Sequence, residues 1–412
     1  MSRSLLVDSL GATIAVFLVC GLLKLAVFSI GFLDPVHSAL HHVGLEFDNH
    51  IHGQTRAPLG PSSSSICLVD IGKANRSGIA AMLTAIARQN PRLVAVDVVF
   101  DRKKAPSDTS LQRALAQLQQ QRKLVMASWL AIEGEAGHAR SELHESDAPF
   151  RLGPTGYTNF VAEESDGVVR HHLPALPPLG DAPGDTLSFA ARIVSIVAPA
   201  TWQQYGNHRA AMKANEPDWI LYQQDQRLFS RFDSTDLAPG SARLPELRNK
   251  IVLLGSMAGA ADPYVSEDVH QVPLGDGTRL TGLEIHANIL AMLLDGTHLR
   301  KIPDWVLWLV SFPLCWVLMM FFAWQFQRYH IWFHLVFKTV QFITAALIVL
   351  VALLLFRFGH IEMNTLPLLA PMALAVDVLY FYEGFARWLT KRSWLPKRIP
   401  YTTYFDDSHA HH

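Results

Sequence analysis

Cysteine is scarce in this chain: Cys20, Cys67 and Cys315 are the only three in 412 residues. Cys20 and Cys315 fall inside long apolar runs, which leaves Cys67 as the one thiol of the more polar middle of the chain. A single thiol makes no intrachain disulfide, so that middle part must be held by a hydrophobic core. At roughly 270 residues it is long enough to build one. Excess charge is lacking too. A net charge of −1 and a pI near 7 remove the electrostatic reason to expect nucleic acid as a partner. The short motifs of common chemistry are missing: there is no GxxxxGK(S/T), no GxGxxG after a strand, no HExxH and no CxxC. No cofactor is expected. Beyond the last apolar run only 26 residues remain, fewer than the roughly 50 a domain needs. No catalytic domain is therefore expected after it.

What the chain does have is long apolar runs, one near the front and three near the back. They span Gly11 to Leu33, Trp305 to Trp324, Phe333 to Phe356 and Thr365 to Ala386. Each is long enough to cross a bilayer, which takes about 20 residues. Arg387, Lys391, Arg392, Lys397 and Arg398 follow the last run, Arg328 lies between the second and third, and Arg3 precedes the first. Basic residues mark the cytoplasmic side, so both termini are expected inside and residues 34–302 outside. Trp305, Trp308, Trp324, Trp332, Trp388 and Trp394 fall at the expected interfaces. The first run is about twice a signal-peptide core and lacks a clean cleavage site, so it reads as a retained anchor. The expected domains are an anchor (1–33), an outer domain (34–302), three membrane helices (303–386) and a basic, aromatic tail (387–412). The tail reads either as a contact for a partner or lipid headgroups, or as a disordered segment that sets topology.

The outer domain has an α/β pattern. Ile66–Ile71 and Leu93–Phe100 are apolar runs suited to buried strands, and Leu124–Ala127 is a third. Helical spacing separates them, with Ile79, Met82, Leu83 and Ile86 on one stripe and Leu111, Leu115 and Leu118 on another. Such alternation predicts a mainly parallel sheet with flanking helices. A strand over 168–173, a helix over 186–197, a strand over 251–254 and a helix over 283–294 follow. Residues 130–165 and 199–247 are polar and rich in Pro and Gly, and read as long connections or edge elements.

Candidate chemistry is sparse. Gly255-Ser256-Met257-Ala258-Gly259 has its Ser one place too early for a nucleophile elbow and reads as a turn leaving a strand. Asp70 and Asp97 lie in or at the ends of parallel strands, where ligands bind outside the carboxyl ends. They either line a pocket or cap helices and loop amides. His37, His41, His42, His50 and His52 cluster near Glu46 and Asp48, but no four-ligand spacing emerges and no metal is expected.

Several ordered blocks resemble the CHASE2 sensor domain. They are Leu68-Val69-Asp70-Ile71, then Leu93 through Phe100, then Thr158-Asn159-Phe160 with Asp166-Gly167-Val168-Val169-Arg170. Lys250 through Ser256, Asp262, Gly282-Leu283-Glu284-Ile285-His286-Ala287-Asn288, Leu293-Leu294-Asp295-Gly296 and Leu299-Arg300 continue it, so that it covers about 35–302. The resemblance implies a bacterial periplasmic sensing domain of the kind that precedes cyclases or kinases. Gly72 through Gly78 departs from the family's acidic, Trp- and Pro-containing turn, which puts the family's ligand in doubt here.

Arg170 is expected to pair with an acid such as Asp97 or Glu284, and Gly167 and Gly255 to serve turns with unusual dihedrals. Glu284 and Asn288, four apart, share a helix face. Glu284 either stabilises that helix's N-terminus or faces a ligand. With Asp70, Asp97 and Arg170 they form the candidate ligand-binding set. Inside the membrane, Asp377 is expected to face the bundle and pair with Lys338, or second with Lys24. Two functions fit: a non-enzymatic inner-membrane sensor that signals to a separately encoded cytoplasmic or membrane protein, or a structural docking subunit of an envelope assembly. Expected partners are the lipid bilayer, a periplasmic ligand, that separate protein and, as an open alternative, a second copy of the chain.

Overall fold

A computed structural model describes residues 3–29, 61–101, 108–133, 140–162, 167–176, 186–209, 217–223, 226–257, 268–274, 278–328, 333–359 and 361–391. The chain divides into two compact units, His42–His298, and Met1–His41 with Leu299–His412. In chain order the elements begin with α1 (Arg3–Ser29), β1 (Ile66–Asp70), α2 (Arg76–Arg88), β2 (Leu93–Val96), α3 (Asp108–Gln120) and β3 (Leu124–Glu133). Then come β4 (Arg140–Glu145), β5 (Thr155–Tyr157), β6 (Val161–Ala162), β7 (Val169–His172), β8 (Ala175–Leu176) and β9 (Thr186–Leu187). Next are α4 (Phe189–Val197), α5 (Pro199–Arg209), β10 (Asp218–Trp219), β11 (Ser230–Phe232) and β12 (Ile251–Gly255). The chain continues through β13 (Val269–Gln271), β14 (Arg279–Thr281), α6 (Gly282–Leu294) and β15 (Arg300–Lys301). It ends with α7 (Asp304–Arg328), α8 (Phe333–Gly359), β16 (Ile361–Glu362) and α9 (Leu366–Lys391).

The first unit is built on a mixed sheet of order β11-β1-β12-β2-β3-β4, with β5 pairing β3. All neighbours are parallel except β3 and β4. Val69 aligns with Leu254, Leu254 with Val96, and Val96 with Met126. Alternation along the strands sends Cys67, Val69, Val94, Val96, Val252 and Leu254 to one face, against Leu83 and Ile86 of α2 and Leu111, Leu115 and Leu118 of α3. The other face meets α4 and α6. Covered on both faces, the strands must be apolar throughout, which explains the unbroken runs. Each fully buried Leu, Ile or Val contributes about 1.5–3 kcal/mol. Residues Gly282 through Leu293 of α6 are all buried, so this helix is enclosed on every side, with Glu284, His286 and Asn288 as its buried polar groups.

Three expected elements are redrawn. The strand starting at Leu93 stops at Val96, because the carboxyl end of the sheet opens there and Asp97 leaves it. The helix expected from residue 186 starts at Phe189, capped by Ser188, while Thr186–Leu187 pairs with Ala175–Leu176. Residues 130–165 hold β4, β5 and β6 as well as the end of β3, and a small antiparallel sheet β10-β7-β6 lies apart from the main one.

The second unit packs α1, α7, α8 and α9 around Ala12, Val16, Cys315, Met319, Phe322, Phe337, Met372, Ala375 and Leu379. Among the described residues three helices are long and apolar enough to cross a membrane, through Leu6–Leu23, Asp304–Gln325 and Leu335–Leu355. The fourth, α9, is 26 residues long, but its apolar part is Leu366–Leu379. Three of the four expected spans are thus matched, one N-terminal and two C-terminal, and the fourth stands as an expectation. The expected Asp377–Lys338 pair is not found among the described residues. Both side chains are exposed and form no ion pair, because α9 turns Met372, Ala375, Val376 and Leu379 inward and leaves Asp377 on the face of Phe381. Lys24 lies on α1, with its side chain outside the described residues. The buried polar groups of the bundle are others: Asp8, Ser9, Thr13, Ser311 and Gln341. Trp316 donates its Nε1–H to Ser9 Oγ at 3.1 Å, and Gln341 Nε2 donates to the Met372 carbonyl at 2.8 Å.

Candidate functional site

A cavity of about 390 Å³ opens in the α/β unit, lined by Asp97, Trp129, Thr158, Asn159, Phe160, Ala162, Val169, Asp268, His270, Gly282 and His286. Asp97 reaches it by following β2, where its backbone N–H donates to the Leu254 carbonyl at 2.8 Å. The cavity therefore lies at the carboxyl end of the parallel strands, the usual ligand crevice of such sheets. Trp129 comes from β3 and Val169 from β7, while Gly282 and His286 form the first turns of α6.

Two glycines let the walls close. A side chain at Gly255 would meet Asp97 Cβ at 3.1 Å and Leu283 Cδ1 at 3.0 Å. Gly255 is thus required by close approach within β12, not by a turn with unusual dihedrals; Gly167, at φ 69°, does have them. At Gly282 an added Cβ would meet both carboxylate oxygens of Asp268 at 2.6 Å, and the Gly282 N–H donates to the Asp268 carbonyl at 3.2 Å. Asp268 is held over the first residue of α6, where the helix dipole favours an anion.

The electrostatics are acidic. Burial, and then the charge of Asp268, push the Asp97 carboxyl up to about 7. Among the described residues its carboxylate has no hydrogen-bond or ion-pair partner. His270 Nε2 lies 3.1 Å from Asp268 Oδ1. Burial pushes His286 down to about 4; its ring bonds the Thr158 backbone and leaves Nδ1 buried without a partner. Phe160 stands between the two imidazoles, its centroid 5.2 Å from that of His270 and 4.6 Å from that of His286. Among the described residues no three of His, Cys, Asp and Glu are grouped to hold a metal ion.

Of the candidate set, Asp97 alone lines this cavity. Asp70 accepts from Gly72 N and Met257 N, each at 2.9 Å, and so ties the loop after β1 to the end of β12. Glu284 accepts from Thr281 N at 2.8 Å in a capping box and pairs with Arg231 at 2.6 Å. Asn288 accepts from Gln223 N and donates to the Glu284 carbonyl, each at 2.8 Å. Arg170 is fully buried on β7, and neither expected acid is its partner: Arg231 on β11 already holds Glu284, and Asp97 is unpaired. The residues missed are Trp129, Asp268, His270 and His286, with Thr158 through Phe160. Asp166, Asp262, the His37–His52 cluster and most of the tail lie outside the described residues.

A layered α/β domain with a small-molecule-sized crevice at its strand ends, in a chain with helices apolar enough to cross a membrane, has the build of a membrane-bound receptor module. The family model of the CHASE2 domain matches residues 56–325, about two thirds of the chain. The chain belongs to the CHASE2 domain family, whose members are extracellular sensory domains. The match begins later than the span of about 35–302 expected from the sequence and runs on into α7. No curated protein and no solved structure matches the chain.

Proposed function

We propose that this chain is a non-catalytic sensing subunit of the bacterial inner membrane. Its CHASE2 domain lies in the periplasm, takes a small molecule in the Asp97–Asp268 cavity, and signals through the helices to a separately encoded partner. The observation that carries this reading is an unpartnered carboxylate inside a cavity of about 390 Å³, within the roughly 300–1,000 Å³ range of ligand pockets. Basic residues after the last helix favour cytoplasmic termini. The cavity's hydroxyl, on Thr158, donates to the Ser128 carbonyl at 3.2 Å rather than to an imidazole, which favours binding over nucleophilic catalysis. The docking-subunit alternative draws less support. Among the described residues of the α/β unit only Trp129, Val161 and Ile196 are large, apolar and exposed, too few for a docking face.

Two measurements test this. Reporter fusions at Ala182 and Asp407 should lie in opposite compartments, and finding them on one side overturns the topology. Purification of the full chain in mild detergent, followed by mass spectrometry, should recover a kinase or cyclase in proportion to the bait. Recovery of an envelope assembly without a signalling enzyme overturns the sensing role.

A further inference from the structure

The polar groups of the cavity are unevenly supplied. Asn159 is used up at both ends, its Oδ1 accepting from Leu130 N at 2.7 Å and its Nδ2 donating to the Leu130 carbonyl at 3.0 Å. Thr158 spends its proton on Ser128, and His286 bonds the Thr158 backbone. Among the described residues no Lys or Arg lines the cavity. What is left facing a ligand is the Asp97 carboxylate, an acceptor only once ionised, with the carboxylate of Asp268, already paired to His270, beside it. Beside them are ring surfaces: Phe160, and Trp129, which His144 stacks on at 4.4 Å and which stays 44 % exposed. A desolvated anion without a donor is unfavourable until a donor arrives, and aromatic faces attract cations. The absence of a metal-holding group among the described residues sets a bare metal ion aside.

We propose that the cavity binds a small organic cation, with an amine or ammonium group between Asp97 and Asp268 and a carbon body against Phe160, Trp129 and Val169. This deepens the sensing reading and rests on it. Among the described residues an anionic ligand meets two carboxylates and neither Lys nor Arg, and a neutral one leaves Asp97 without a charged partner.

The same contacts give a pH signature. Asp97 is faced by Asp268, just before β13, by His270 of β13 and by His286 from α6, and His144 stacks on the neighbouring Trp129. An alkylamine stays protonated from pH 6 to 8, and so does its charge, whereas Asp97 loses its own as pH falls through about 7. His286 stays neutral over that window. Affinity for the cation therefore rises from pH 6 to pH 8 and levels off above it.

The test uses the full chain in detergent micelles, with three probes of one shape: phenethylamine, 2-phenylethanol and 3-phenylpropionate. Calorimetric titration should show phenethylamine binding at least about tenfold tighter than either of the others, as expected for a charge-assisted contact. Asp97→Asn should weaken the amine about tenfold, leave 2-phenylethanol unchanged and flatten the pH dependence. That flattening separates Asp97 from His270. Asp268→Asn serves as a second variant, and the wild-type pH profile needs no variant at all. Equal or tighter binding of the alcohol or the carboxylate overturns the cation assignment and leaves the sensing role standing. Binding of none of the three also overturns it, and the sensing role is then decided by partner recovery alone.

Discussion

Glu284 and Asp97 are acids of one α/β unit, and their surroundings are opposite. Glu284 is 3 % exposed and its carboxylate is engaged, by Arg231, by Thr281 N–H and by the Thr281 hydroxyl at 3.0 Å. Arg76 and Asp108 form a similar closed pair at 2.6 Å, with the guanidinium 5.0 Å from the Phe150 ring centroid. Asp97 is packed beside Gly255, and among the described residues its carboxylate has neither ion pair nor hydrogen bond. Where every donor and acceptor finds a partner inside the chain, the polar group holds the fold. Where one does not, the chain leaves an interaction for something else to make.

The comparison breaks most readily at its closed end. Arg76→Ala leaves Asp108 buried without its cation, and removing one partner of a buried pair costs about 3–5 kcal/mol. Thermal unfolding of the full chain in detergent should show a large drop in Tm; a change near zero would mean that the pair is solvated. Glu284→Ala should cost less, about 2 kcal/mol. It loses a capping box, worth about 1 kcal/mol, and an ion pair whose Arg231 side is 46 % exposed and can return to water. A loss as large as that for Arg76→Ala would show that Arg231 is held more tightly than its exposure indicates.

The closed networks and the open cavity were unequally legible in the sequence. β1, β2, β12 and the start of β3 stood out because strands buried on both faces leave unbroken apolar runs. Of the small sheet β10-β7-β6 only β7 was legible, as the strand expected over 168–173; β6 and β10, two residues each, owe their state to long-range partners rather than to local pattern. Asp97 was legible because it directly follows an apolar strand. Asp268 and His270 lie in a polar segment and reach the cavity through the β13–β14 pairing, in which Val269 aligns with Thr281. No local signal marks that pairing. Besides Asp97, six lining residues, Thr158, Asn159, Phe160, Val169, Gly282 and His286, sit inside blocks that resemble the family, and those blocks taken as a set mark them. In the bundle, Asp377 stood out as a charge in an apolar run, but sequence does not say which face a helix turns inward, and Asp8 near the chain's start escaped notice.

At the open end the sign should reverse. Asp97→Asn is expected to stabilise the unliganded protein above pH 7, by on the order of 1–2 kcal/mol. The folded-state value of about 7 lies above the ordinary 3.8, so the native state holds the proton longer than the unfolded chain. Wild-type stability therefore falls as pH rises from about 4 to about 7, and the asparagine variant lacks that component. The figure is kept well below the full shift because Asp97 is partly open to the cavity. Tm measured from pH 5 to pH 8 checks it, and a variant that melts below the wild type at pH 8 would place Asp97 with Glu284 after all.

The smallest effect belongs to His286, which tilts stability the other way. Its folded-state value of about 4 lies below the ordinary 6.5, so the unfolded chain takes up the proton first and stability is lost as pH falls from about 6.5 to about 4. His172, buried with both ring nitrogens unpartnered and likewise pushed down to about 4, adds to the same limb. His286→Phe keeps a ring against Phe160 and Phe189, whose centroids lie 4.6 and 5.2 Å away. It gives up the bond to Thr158, a cost of about 1 kcal/mol or less at pH 7. In return the acid limb should become shallower, so that the wild-type and variant Tm curves converge or cross between pH 6 and pH 5. Curves that stay parallel down to pH 5 would mean that His286 is protonated at no extra cost inside the fold. The cavity would then already contain a counter-charge for a cation, as the two carboxylates beside it are arranged to provide.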